Sequence, residues 1–199
     1  MRRLILLFAL IGCETKQEAP AAAGSAAAST SPRNASGPDR PSSSCGDEVV
    51  ADEGIGELRI GTTVESVRQK CNVVRDTTVL AGEGMMARKL AVALSRDTVE
   101  AEIVNGRVWR IAVLSPRLRT ADSLGVGTPL ARLLKLKNPR GMTGEGAFFV
   151  ASPEHCGMSF RLADAGPGAQ RGDLDSARLT RLSKSAIVSE VLVFGCHLR

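Results

Sequence analysis

The sequence has very few aromatic side chains and very few histidines. It contains no tyrosine, one tryptophan, five phenylalanines and two histidines among 199 residues. Proteins that bind single-stranded nucleic acid stack its bases on aromatic side chains, and tight protein inhibitors use tryptophan and tyrosine as anchors. We therefore expect no nucleic-acid partner, and no aromatic surface of the kind that anchors a tight inhibitor.

Motifs of common catalytic and nucleotide-binding sites are also missing. The sequence has no nucleophile elbow, phosphate-binding loop, H-E-x-x-H pair or dinucleotide fingerprint. Glu100 and Glu102 lie near Asp97, and their spacing is typical of the solvated face of a strand rather than of a general acid and base. The sequence predicts that the protein is not an enzyme and uses no cofactor, metal ion or small-molecule substrate.

The longest N-terminal apolar run is too short to span a membrane. A spanning helix needs about 20 apolar residues, and the run over 4–12 has nine. Two arginines precede it, and a glycine ends it immediately before Cys13. A charged start, a short apolar run and a small residue before a cleavage site are typical of a secretory signal peptide. The sequence predicts a signal peptide over 1–12.

Residues 10–13, LIGC, resemble the lipobox of bacterial lipoproteins. The resemblance implies that Cys13 is the lipidated N-terminus of the mature chain and anchors the protein in the bacterial cell envelope, facing the periplasm or the exterior. Several acyl chains hold a protein stably where one chain does not. Because Glu14, and not Asp, follows the cysteine, the resemblance favours the outer membrane over the inner membrane.

A low-complexity segment separates this N-terminus from the rest of the chain. Residues 13–44 consist mainly of Ala, Ser, Pro and Gly. With so little apolar surface to bury, such a segment cannot offset the entropy lost on ordering. The sequence predicts a disordered tether over 13–44 and a globular domain over 45–199. The domain has 21 Lys and Arg residues against 18 Asp and Glu residues.

Arginine is concentrated around a predicted hairpin of this domain. Guanidinium groups bind phosphate groups well, so a cluster of them is a candidate contact patch for anionic headgroups or polysaccharide. A solvated face is the alternative interpretation. The candidate patch consists of Arg107, Arg110, Arg117 and Arg119.

If Cys13 is lipidated, four of the five cysteines keep a thiol that can form a disulfide. An even number of thiols in an exported protein is typical of disulfides. We predict the pairs Cys156–Cys196 and, by elimination, Cys45–Cys71. Unpaired thiols in the core and a zinc site are the alternatives.

The predicted register of two strands leads to this pairing. If the strand from His155 runs antiparallel to the C-terminal strand with the two cysteines opposite, Met158 faces Phe194 and Phe160 faces Leu192, so apolar residues meet on one face.

The two sequences HC and CH also suggest a zinc site with two cysteines and two histidines. In strands, however, His155 and His197 would lie on the face opposite to the cysteines. The sequence therefore predicts no metal site here.

Two segments of the domain resemble each other at an offset of 66 residues: LRIGTTVESVRQK from Leu58 and LGVGTPLARLLKL from Leu124. Both are typical of helix starts. Thr62 is predicted to cap the first helix, with Glu65 completing a capping box, and Pro129 to occupy the first position of the second helix. A chance match is the alternative to a duplication.

Strand-like segments rich in Val, Ile and Thr follow both predicted helices, and Asn105-Gly106 predicts a tight hairpin. We predict an α+β fold of two tandem helix-plus-antiparallel-sheet units, over 55–118 and 121–199, with each helix packed on one sheet face. This layout resembles the β-lactamase-inhibitor-protein-like group, which includes the small outer-membrane assembly lipoproteins SmpA/OmlA.

Together these features predict a lipid-anchored binding or scaffold module whose partner is an envelope protein or polymer. An inhibitor or protective factor resembling the β-lactamase inhibitor protein is one alternative. An unrecognised envelope hydrolase is the other.

Overall fold

A small three-stranded sheet opens the described part of the chain. The computed structural model describes residues 45–80, 84–95, 97–170 and 172–196. The predicted signal peptide, Cys13 and the tether therefore lie outside the described residues. The small sheet consists of β1 (Val50–Ala51), β2 (Gly54–Ile55) and β3 (Leu58–Arg59). Its strands of two residues are too short for a hydrophobic period, and the sequence does not predict them.

Four strands follow each of the first two helices. After α1 (Val64–Lys70) come β4 (Asn72–Leu80), β5 (Met86–Ala93), β6 (Thr98–Val104) and β7 (Arg107–Val113). After α2 (Leu130–Leu133) come β8 (Arg140–Gly144), β9 (Ala147–Ala151), β10 (Met158–Ala163) and β11 (Ile187–Val193), with α3 (Ser176–Leu179) between the last two strands.

All eight of these strands form one antiparallel sheet in the order β4-β5-β6-β7-β11-β10-β9-β8. The last strands of the two halves lie side by side, with Leu192 opposite Ala112. The prediction of a mixed fold built mostly on antiparallel sheet is confirmed. Among the strands of the large sheet, β8 is not predicted, because its two glycines lower its strand propensity.

The predicted Asn105-Gly106 hairpin is present between β6 and β7. Both residues have positive φ, 51° and 73°, as the tight turns of two-residue hairpins require. Asparagine and glycine tolerate this conformation better than other residues do, so the sequence signal and the turn have the same physical cause.

The first of the two similar segments contains Gly61-Thr62, and we call it the first Gly-Thr segment. It is hydrogen-bonded to the start of β7. The Gly61 N–H donates to the Val108 carbonyl (2.8 Å), and the Val108 N–H donates to the Thr62 carbonyl (2.9 Å). The Val64 N–H, at the start of α1, donates to the Gly106 carbonyl (3.0 Å). These bonds join the helix entry to the last strand of its half.

The second Gly-Thr segment makes the same three bonds to the start of β11. The Gly127 N–H donates to the Val188 carbonyl (2.7 Å), and the Val188 N–H donates to the Thr128 carbonyl (2.8 Å). The Leu130 N–H donates to the Ala186 carbonyl (2.9 Å). The two segments that resemble each other in sequence therefore have equivalent surroundings.

These bonds also correct the predicted helix caps. Thr63, and not Thr62, is the N-cap of α1, and its hydroxyl oxygen accepts a hydrogen bond from the Ser66 N–H (3.3 Å). Thr62 belongs to the segment bonded to β7, so the helix begins one residue later. In the second half Pro129 is itself the N-cap, one position before the first helical residue.

The helices are short, with seven residues in α1 and four each in α2 and α3. Each buries apolar side chains, among them Val67, Leu133 and Leu179, in one hydrophobic cluster that includes Ile111 and Phe160 of the sheet. Within the described ranges, no helix has the length and apolar character needed to cross a membrane.

The predicted register of β10 against β11 is wrong by one residue. Met158 lies opposite Val193 and Phe160 opposite Val191, instead of Phe194 and Leu192. The observed register still places buried apolar residues together, because both faces of these strands are partly covered. Hydrophobic alternation alone could not distinguish the two registers.

The cysteine pairing is nevertheless confirmed. Cys156 bonds to Cys196 with their Cα atoms 4.9 Å apart, and Cys45 bonds to Cys71 with theirs 4.4 Å apart. Cys156 ends a 3-10 turn outside β10, and Gly195, at φ 81°, turns the chain after β11. The disulfide therefore forms beyond the paired strands, where the strand register does not apply.

Candidate binding cleft on the sheet

Among the described residues, the face of the large sheet that carries Arg110 and Ala112 contains a cleft of about 220 Å³. Along β7, Ile111 and Val113 point to the opposite side and are fully buried. Seven charged side chains line the cleft: Lys89, Glu100, Glu102, Arg110, Glu145, Arg161 and Glu190. Its apolar lining comes from Ala112, Leu114, Ala147, Phe149 and Leu192.

Arg110 lies between two carboxylates of this cleft. Its Nη2 is 2.7 Å from Glu102 Oε2, and its Nη1 is 2.6 Å from Glu145 Oε1. Glu102 is on the adjacent strand, but Glu145 is in the β8–β9 turn, and β11 and β10 separate β7 from β9. Three strand spacings amount to roughly 14 Å in a flat sheet. Extended arginine and glutamate side chains can together reach across a distance of this order, so the contact joins the two halves over this face of the sheet.

The two carboxylates keep the Arg110 guanidinium charged. Burial acts to lower the pKa of Arg110, but hydrogen bonds to Glu145 and Glu102 outweigh it and raise the pKa above its usual value. The resulting triad joins a strand of the first half to a turn of the second half.

The other two carboxylates of the cleft are also ion-paired. Glu100 is 3.1 Å from Arg75 and 3.5 Å from Lys89, and Glu190 is 3.1 Å from Arg161. Paired in this way, the carboxylates face cations rather than one another. A lining of three cations, four carboxylates and apolar patches suits a surface of mixed character better than a ligand of one charge sign.

Of the four arginines in the predicted patch, Arg110 alone lines this cleft. The other three bond within the chain. The acceptors are the Gly61 carbonyl for Arg107 (2.8 Å), the Asp97 carboxylate for Arg117 (2.7 Å) and the Pro116 carbonyl for Arg119 (2.9 Å). Anion contact at these residues stays a prediction, and it would compete with existing bonds.

His155 is held by neighbouring side chains of the domain. Its Nε2 is 3.2 Å from Asp122 Oδ2, and its ring meets Phe160 edge-on at 5.9 Å between centroids. Burial acts to raise the pKa of Asp122, but hydrogen bonds from Thr120 and His155 outweigh it and lower that pKa. The other histidine of the predicted pair, His197, lies outside the described residues.

Two acidic side chains, Asp52 and Glu53, accept hydrogen bonds from the backbone beside the Cys156–Cys196 disulfide, and we call this pair of contacts the clamp. Asp52 Oδ1 accepts a hydrogen bond from the Gly157 N–H (3.0 Å), and Glu53 Oε1 accepts one from the Cys196 N–H (3.0 Å). Asp52 and the two sulfurs lie within 4.8 Å of one another, but each sulfur is already bonded to the other. The sequence gives no signal for this clamp, because the Glu53–Cys196 contact spans 143 positions.

Comparison with known proteins bears on the fold. No family model matches the chain, and no curated protein matches it. The crystal structure of the uncharacterized protein yfeY from Escherichia coli is similar, with a TM-score of 0.54 and 18% sequence identity. The match covers 73% of this chain and 98% of that one. At this identity the similarity concerns the fold alone.

Proposed function

We propose that this chain is a lipid-anchored bacterial envelope protein that binds a protein or polymer partner through the face of its large sheet that carries Arg110. The observation that carries the proposal is the cleft that both halves build around Arg110. Its apolar floor includes Leu114, which is 57% exposed. Burial of such a side chain by a partner stabilises a complex, while the surrounding ion pairs select partners by charge.

Binding, rather than catalysis, fits the chemistry of this cleft. A glycosidase or aspartic-protease site needs two carboxylates placed to act on one substrate. Here Glu102 and Glu145 share a guanidinium, and Glu100 and Glu190 have cations of their own.

Anchoring through Cys13 rests on the LIGC sequence and on the low-complexity segment 13–44 behind it. Replacing Cys13 with Ser would move the full chain from the membrane fraction to the soluble fraction, and mass spectrometry of the wild type would find acyl chains on an N-terminal Cys13. A wild-type chain that starts at Met1 with a free Cys13 would remove the anchor from the proposal. Glu14 favours the outer membrane, which density-gradient separation of the membranes would test.

Affinity capture from envelope extracts tests the binding role. The full chain would retain a partner that the Leu114→Glu variant loses, because a charge in the apolar floor would be desolvated in the complex. Val104→Glu is the matched control, since Val104 is 42% exposed and lies outside the cleft lining. Recovery of nothing above background by wild type and control would contradict a binding role.

A second candidate is an inhibitor or protective factor resembling the β-lactamase inhibitor protein. It is favoured by the arrangement of two four-stranded halves in one sheet. Addition of the purified chain to a panel of envelope hydrolases would slow at least one of them. Unchanged rates across the panel would remove this candidate.

We also propose that units 55–118 and 121–199 arose by duplication, with each helix packed on one face of its sheet. The equivalent hydrogen bonds at Gly61 and Gly127 support this. So does the burial of Val67 and Leu133 in the same cluster as the strands.

A further inference from the structure

The two edges of the large sheet differ in how they are covered. At one edge, β8 is bridged by the chain between β10 and β11: Gly141 and Leu174 exchange two hydrogen bonds, both 2.8 Å. The Thr143 hydroxyl donates to the Ala169 carbonyl in the same connection (3.1 Å). These contacts satisfy backbone groups that an edge strand otherwise presents to solvent.

The first half has no described segment that could cover β4 in the same way. In the second half the cover comes from Ala169 and Leu174, in the connection between β10 and β11. The corresponding connection in the first half, between β6 and β7, is the two-residue turn Asn105-Gly106. Within the described residues, β4 pairs with β5 and has no strand on its outer side.

The strand β4 is long and exposed. Seven of its nine residues are exposed, among them Leu80 at 71%. A bulge between Val73 and Arg75 interrupts its regular pairing with β5, so the pairing is regular over 75–80. Met85 and Met86, at the start of the neighbouring strand, are each 64% exposed. Apolar side chains and open backbone groups therefore lie together at this edge.

The charges near this edge are already paired within the chain. Asp76 Oδ2 is 2.7 Å from Arg88 Nη2 and 2.5 Å from Arg68 Nη2. Arg75 is 3.1 Å from Glu100. Because each of these charges has an oppositely charged partner within the chain, the usual charged protection of an edge is weakened here, except in a register that places two like charges directly opposite each other.

We propose that β4 pairs antiparallel with β4 of a second copy of this chain, across a two-fold axis at Thr78, and so joins two eight-stranded sheets. In this register Thr78 lies opposite itself, Thr77 opposite Val79 and Asp76 opposite Leu80. Threonine and valine are favourable cross-strand neighbours, and like charges do not oppose each other. A two-fold axis at Asp76 would instead place two carboxylates opposite each other.

Sedimentation velocity over a concentration series tests this interface, with the full chain carrying Cys13→Ser so that no lipid is attached. The expected result is a shift from monomer towards dimer as concentration rises. Thr78→Lys places two ammonium groups opposite each other and would weaken association by roughly tenfold or more. Leu80→Lys, a second exposed edge variant, would weaken it as well.

Met142→Lys is the matched control, because Met142 is 38% exposed on the covered edge strand β8. This variant would associate like the wild type. A monomer at every concentration would overturn the proposal. Two other results would also overturn it. One is that Thr78→Lys and Leu80→Lys dimerise as strongly as the wild type, and the other is that Met142→Lys weakens the dimer as much as they do. In the wild type, amide exchange over 76–80 would also slow as the dimer forms. This readout does not depend on whether the cleft around Arg110 binds a partner.

Discussion

Arg110 Nη1 lies 2.6 Å from Glu145 Oε1, although the two residues belong to different halves of the sheet. Arg110 is on β7 and is also 2.7 Å from Glu102 on the adjacent strand. Glu145 is in the β8–β9 turn, and β11 and β10 lie between β7 and β9. This ion pair bridges the candidate binding cleft.

Replacing Arg110 with Gln should destabilise the domain by about 1–3 kcal/mol, because Glu102 would lose its charged partner at a largely covered site. Glu145→Gln is the comparison, and its effect should stay below about 1 kcal/mol, because the Glu145 side chain is 67% exposed. Urea unfolding at neutral pH measures both values. Equal effects of the two variants would contradict the asymmetry between the carboxylates.

Gly157→Ala should be strongly destabilising. A Cβ at this position would lie 2.2 Å from the Asp52 carbonyl oxygen, so the β1–β2 turn would have to move away from the disulfide. Overpacking of this kind costs about 1–3 kcal/mol. Gly144→Ala is the control, because a Cβ there would have nothing within 4 Å. Thermal unfolding of the two variants would test the clamp, and similar melting temperatures would argue against it.

The Asp76 carboxylate makes stability depend on pH in the acid range. The hydrogen bond from Arg88, supported by one from Arg68, outweighs burial and lowers the pKa of Asp76 in the folded protein. Its contribution is therefore fully present above the unfolded value of about 3.9 and is lost as pH falls through the lower folded value.

Urea midpoints measured from neutral pH down to about pH 2 should fall less steeply in Asp76→Asn than in the wild type. The variant should also be less stable at neutral pH. Asp173→Asn, at an exposed position, is the control and should follow the wild-type curve. Identical acid profiles for wild type and Asp76→Asn would show that these ion pairs do not contribute.

The two disulfides should differ in their reaction with reductant. Cys45 and Cys71 are each 2% exposed, whereas Cys156 and Cys196 are half-buried. Mild reduction of the native protein followed by alkylation should label Cys156 and Cys196 first, as mass spectrometry of the peptides would show. First labelling of the other pair would contradict this order.

Removing either disulfide should lower the free energy of unfolding by about 3–4 kcal/mol, because the two bonds close loops of 26 and 40 residues.

Local sequence determined those features of this protein that depend on residues close together in the chain. The Asn105-Gly106 turn follows from the positive φ that these two residues accept. The strands β5, β6, β7 and β9 follow from runs of β-branched and apolar residues. Each of these signals lies within a few residues of the structure that it predicts.

Tertiary structure alone decided the rest. The register of β10 against β11 could not be derived, because both faces of these strands bury apolar side chains and a shift of one residue keeps them buried. The cleft depends on the strand order, which places the β8–β9 turn and Glu145 on the same sheet as Arg110 with β11 and β10 between β7 and β9. The clamp of Asp52 and Glu53 on the disulfide depends on contacts more than 100 positions apart. Sequence periodicity reports which side of an element is buried, but it does not report which distant element covers that side.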